Sequence, residues 1–237
     1  MKVLLPALLT AGFLFSAQSL AKIDEPDVEA DCEKIADYAA LGNAAYQKGD
    51  YVKAADHFRD QVAWSEFCQH PQSALATAYN NSALAYLRQG QLRKARAWLA
   101  LAAEDKKSQY NLSRMQDSLA ALAKPTSPVG EYWQYAGFGS WNTVEVKAKG
   151  DRYEIHYDGL YMGAMALYYG PNIGEFTAVA AIKDQQAVYH QSDDSDYGGT
   201  CDVEMVFSDE NVALKTHGDC GFGHNVRADG EFVRVAP

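Results

Sequence analysis

The chain has 237 residues, 48% of them hydrophobic and 12% aromatic, and carries a formal net charge of −10. That length suffices for two small domains, each with its own core. The acidic balance argues against nucleic acid and anionic membrane surfaces as main partners, since both repel net negative charge.

Residues 1–21 read as a secretory signal peptide. Met1-Lys2 is followed by an apolar run from Val3 to Phe15, then by Ser19-Leu20-Ala21, small at both positions a signal peptidase inspects. The run is too short to span a bilayer, and no cysteine sits at the cleavage region to take a lipid. The single-lysine start suits a Gram-negative periplasm. A soluble, exported chain is expected.

Residues 22–123 carry a helical pattern that repeats. "LGNAAYQKGDYVKAADHF" at 41–58 and "SALAYLRQGQLRKARAWL" at 82–99 align with a constant offset of 41. Gly49 falls on Gly90, Tyr51 on Leu92, Ala54 on Ala95 and Phe58 on Leu99. Two helical hairpins are expected, each turning at its glycine and packing back through its small alanine. Residues 108–123 then place Leu112, Met115, Leu119 and Leu122 at helical spacing, as a final helix that caps the stack.

The Leu41-Gly42, Ala45, Gly49, Tyr51, Ala54, Phe58 series, and the Ala83, Tyr86, Gly90, Leu92, Ala95, Leu99, Ala102 series, resemble the tetratricopeptide repeat over about residues 35–107. The family period is about 34 residues, so extra residues sit between the units, around "CQHPQSA". Ser82 stands where the family has leucine. The resemblance implies a groove, lined by the first helices, that takes a peptide or protein segment. Here it would offer Asn43, Tyr46 and Asn80. Family members that grip carboxylates pair such asparagines with lysines, and none lies in 41–47 or 82–89. A scaffold or dimerisation role stands beside the groove.

"KPTSPVG" at 124–130 holds two prolines and a glycine and reads as a linker. Residues 131–237 lose the helical period and alternate instead, in "TVEVKA", "RYEIHYD", "EFTAVAAI", "QAVYH", "CDVEMVF", "VALKTH" and "EFVRV". The expectation is therefore an α+β chain of two domains. Helical hairpin repeats come first, and an antiparallel β sandwich or small barrel follows.

Four cysteines in an exported chain suggest two disulfides. Cys32 and Cys68 each lie 18 residues from Asp50, at the first hairpin turn, so two antiparallel helices bring them side by side. If Phe207 pairs with Val212, Cys201 falls opposite Gly218, within reach of Cys220. This pairing competes with a metal site made by His217, Cys220 and His224, and with a catalytic thiol; it leaves neither. Asp193, Asp194 and Asp196 lack the ligand ladder of a helix-loop-helix calcium loop and read as a solvated loop. No nucleophile or metalloprotease motif occurs, so no catalytic residue, metal or cofactor is expected. Glu131 and Glu175 are the carboxylates whose convergence in space would reopen an enzymatic reading.

The densest aromatic stretch is "EYWQYAGFGSW". Trp133, Tyr135 and Trp141 there form either core or a flat recognition face. Cys201, Cys220-Gly221-Phe222-Gly223 and Gly230 are loosely similar to small periplasmic inhibitors and immunity proteins. The functional expectation is an exported, non-enzymatic module that binds a protein or peptide through the repeats, the aromatic face, or both. An inhibitor, immunity protein or carbohydrate-binding module is the alternative.

Overall fold

The computed structural model describes residues 26–192 and 199–237. The expected signal peptide and Asp193, Asp194 and Asp196 lie outside the described residues. Six helices come first: α1 (Val28–Glu33), α2 (Ile35–Gln47), α3 (Tyr51–Phe67), α4 (Gln72–Arg88), α5 (Leu92–Ala100) and α6 (Lys106–Ala120). The pairs α2–α3 and α4–α5 are the two expected hairpins. Gly49 and Gly90 adopt φ of 80° and 75°, the left-handed conformation that ends a helix without steric cost to glycine. Asp50 then caps α3 by accepting from the Lys53 amide. Ala54 and Ala95 are fully buried at the helix contacts, and Phe58 and Leu99 are buried beside them. The Phe58 ring covers Gly42, where a Cβ would collide with it. Cys32 and Cys68 are bridged, with Cα atoms 5.9 Å apart, which ties α1 to the end of α3.

Eight strands follow: β1 (Gly130–Gly137), β2 (Ser140–Lys149), β3 (Arg152–Tyr161), β4 (Asn172–Ala180), β5 (Gln186–Gln191), β6 (Cys201–Phe207), β7 (Asn211–Gly218) and β8 (Gly230–Ala236), with a helical turn, α7 (Ala166–Tyr169), between β3 and β4. They form one antiparallel sheet in the order β4-β3-β2-β1-β8-β7-β6-β5, so the first and last strands are neighbours. The sheet curls into a nearly closed barrel filled by Tyr132, Val144, Ile155, Tyr157, Phe176, Met205 and Phe232, among others. The outer edges of β4 and β5 meet through side chains. The Phe176 and Tyr189 rings stack there, 4.3 Å between centroids and 7° between planes. Phe207 pairs with Val212 and Cys201 with Gly218, and Cys201 is bonded to Cys220.

The two domains share a core. Val62, Tyr79, Trp98, Leu99 and Met115 from the helices pack with Trp133 and Val235 from the barrel, and Tyr135, Trp141 and Val233 lean on the same cluster. Ion pairs rim it: Arg93 and Arg96 with Glu210, and Lys94 with Glu131.

Candidate functional site

The pleat of β1 divides the aromatic stretch. Tyr132 points into the barrel and is fully buried, while Trp133 and Tyr135 point to the helices. Trp141, opposite Tyr135 in the register, completes the cluster. Trp133 and Trp141 stack at 5.1 Å, and Trp98 of α5 meets Trp141 edge-on at 5.2 Å. The Lys94 ammonium sits 4.6 Å over the Trp133 ring. These rings therefore form the junction between the domains.

Glu66, in the last turn of α3, organises the polar part of this junction. One carboxylate oxygen accepts from the hydroxyls of Tyr79 and Tyr135, at 2.5 Å each. The other accepts from the Phe138 amide at the β1–β2 turn. Gly139 donates to the Tyr135 hydroxyl at 2.9 Å, and its positive φ and missing Cβ let the turn approach Arg59 of α3. Burial, the neighbouring Glu66 charge and the bond to it push the Tyr135 phenol well above its ordinary range. Burial first, then the bond to Glu66, does the same for Tyr79. Two protonated phenols donating to one carboxylate make a clasp between domains. With both oxygens engaged in this way, Glu66 ties α3 to β1 and to the β1–β2 turn. Nothing in "WSEFC" marks this role in the sequence.

The helical candidates divide in the same way. Asn80 is buried, donating to the Ala76 carbonyl and the Ser108 hydroxyl at 2.8 Å each and accepting from Asn111 at 2.6 Å. It joins α4 to α6 and does not line an open groove, because α6 docks over it. Tyr46 is half-buried, and its hydroxyl accepts from Arg88 at 2.8 Å. Asn43 is exposed on α2, two residues from Leu41, itself 49% exposed. Of the six binding candidates, Asn43 and Tyr46 thus remain at an open surface, and Asn80, Trp133, Tyr135 and Trp141 are taken up inside the molecule.

Glu131 and Glu175 do not converge. They lie on β1 and β4 with two strands between them, roughly 14 Å across the sheet. Among the described residues no group of three or more His, Cys, Asp or Glu is placed to hold a metal ion, and no helix is long and apolar enough to cross a membrane. On the barrel, the β3–β4 connection carries Tyr168 to the helices, where its hydroxyl donates to Asp31 and its ring meets Trp64 and Phe67. Its neighbour Tyr169 is 73% exposed.

Comparison with protein-family models, with curated proteins and with solved structures finds no match to this chain.

Proposed function

We propose that the chain is an exported, non-enzymatic interaction module that holds a protein or peptide partner on the open face of its helical hairpins. The sidedness of the helical domain carries this reading. The barrel occupies α3 and α5 through Glu66, Trp98 and the Arg93–Arg96–Glu210 contacts, while α2 leaves Leu41 and Asn43 uncovered beside the Tyr46–Arg88 pair. The likeness to tetratricopeptide repeats supports the same face. Two disulfides suit an oxidising, extracytoplasmic compartment and agree with the expected periplasmic export. A photo-crosslinking residue at Asn43 tests the proposal in producing cells. One discrete protein adduct is expected there and none from Lys147 on the barrel. An inhibitor-like reading through the barrel is favoured by one observation, the protruding Tyr169. Adducts formed from Tyr169 and absent from Asn43 would replace the helical reading with that one.

A further inference from the structure

The junction between the domains opens into two adjoining clefts beside the first turn of α5. One, of about 240 Å³, is lined by Arg93, Lys124, Thr126, Ser127 and Arg234. The other, of about 520 Å³, shares Arg93 and runs along Leu92, Leu122 and Val235. We infer that this double cleft binds a small ligand bearing an oxyanion, a phosphate or a carboxylate group, on Arg93, Lys124 and Arg234.

The charge distribution is the first reason. On a chain of net charge −10, Arg93, Lys94, Arg96, Lys124 and Arg234 gather here around Glu131, Asp209 and Glu210, and Pro237 lines both clefts. Lys94 is engaged by Glu131 at 2.8 Å and Arg96 by Glu210 at 2.8 Å. Arg93, with only 11% of its side chain exposed, is left with the far oxygen of Glu210 at 3.4 Å. Lys124 is exposed and forms no ion pair among the described residues.

Arg234 is the second reason. It is 1% exposed, yet the groups it binds are uncharged: the main-chain carbonyls of Asp209, Val129 and Ser127, at 2.7, 2.6 and 3.1 Å, and the face of the Tyr132 ring. A guanidinium has five N–H donors, so these three bonds leave it spare donors, while the Glu210 and Asp209 carboxylates act on its charge from nearby. Burial lowers its pKa and the charge of Arg93 adds to that, against the opposing effects of Tyr132, Glu210 and Asp209. Burying charge is costly; here three cations, Arg93, Arg96 and Arg234, are served by two carboxylates, Glu210 and Asp209, and an oxyanion in the cleft would offset part of that cost.

The helix is the third reason. Gln91 gives α5 no side-chain cap, and its first turn holds Arg93 and Lys94 with no acidic residue. A helix start normally favours the opposite sign. Its free amides and the arginine forks both match a phosphate or carboxylate, and the apolar side of the larger cleft leaves room for the rest of the ligand.

The site is separate from the partner surface on α2, and its test is independent. Oxidised full-length protein is titrated calorimetrically with inorganic phosphate and with succinate, against sodium chloride at matched ionic strength. Saturable binding of at least one probe is expected. It should weaken at least about tenfold in Arg93→Gln/Lys124→Gln, through loss of charge-assisted bonds, and stay unchanged in Lys147→Gln on the barrel. Tighter phosphate binding assigns a phosphorylated ligand, and tighter succinate binding a carboxylate. If the double variant unfolds, Lys124→Gln alone, at an exposed position, carries the comparison. Heats no greater than those of chloride, or affinity unaltered by the substitutions, would overturn the inference.

Discussion

Trp141→Ala removes the ring that meets Trp98, Trp133 and Tyr135 at centroid distances of 5.2, 5.1 and 4.9 Å. Truncating a packed large aromatic costs about 3–5 kcal/mol. A term of opposite sign comes from the indole itself. Its Nε1 is buried without a protein partner, and an unsatisfied donor of this kind costs about 1–3 kcal/mol that truncation relieves. The net loss is therefore expected at about 2 kcal/mol. For a chain of this size that lowers Tm by roughly 4–8 °C, from about 2–4 °C per kcal/mol. Trp141→Phe keeps an aromatic ring and deletes the orphan N–H, so it should lie within about 1 kcal/mol of the wild type, since the relieved donor offsets lost area. Urea and thermal unfolding followed by far-ultraviolet circular dichroism measure both variants. A loss below about 1 kcal/mol in Trp141→Ala, in the range of an exposed site, would refute its place in the shared core. A loss in Trp141→Phe equal to that in Trp141→Ala would refute the offset.

Glu66→Gln should destabilise by about 2–3 kcal/mol, because the amide cannot accept at both positions and charge-assisted bonds are the stronger kind; a neutral effect in urea unfolding would contradict the clasp. At alkaline pH, Tyr132 supplies a signed prediction: burial pushes its phenol from 10.0 to about 12. The stability from its protonated form is then complete below about pH 10 and is lost between pH 10 and 12. A delayed tyrosinate absorbance phase should coincide with unfolding, and complete tyrosine ionisation in the folded protein would contradict it. Replacing Cys201 and Cys220 by serine opens a loop with a sequence separation of 19 and should lower stability by about 3 kcal/mol, read as a reduced urea midpoint. Arg234→Met frees the Ser127 and Val129 carbonyls, so a broad-specificity protease should cut within 124–130 faster than in wild type; equal rates would show that Arg234 does not hold the linker.

The hairpins and bridges were legible because local rules decide them. Gly49 and Gly90 mark the turns by a conformation few other residues adopt, and the register at Phe207–Val212 alone carries Cys201 to Gly218. No alternation marks β1 as a strand, because alternation needs one wet face. Tyr132 faces the barrel core and Trp133 and Tyr135 face the helices, so both sides read as apolar. Asn80 reads as a groove residue until α6 docks on it, a contact with residues 28 and 31 positions later. Arg234 shares the barrel-facing side of β8 with Phe232 in "EFVRV", a side where alternation leads one to expect an apolar residue. It is buried because the linker folds over that face, which no periodicity in β8 records. The clasp at Glu66 and the basic cleft both lie between domains, where spacing along one element says nothing about the partner.

The stacked closure of the barrel also bears on how the protein behaves at high concentration. An open sheet ends in rows of unpaired amides and carbonyls that can template a strand from another molecule. Here the edges of β4 and β5 are turned toward each other, with the Phe176–Tyr189 stack between them. Each edge blocks the other's access to a neighbouring chain without a ladder between them. The Phe176–Tyr189 stack thus joins the segment around Gly223, whose amide donates to the Ile173 carbonyl, in guarding the sheet against strand addition, and substituting either ring with a small residue would loosen that guard.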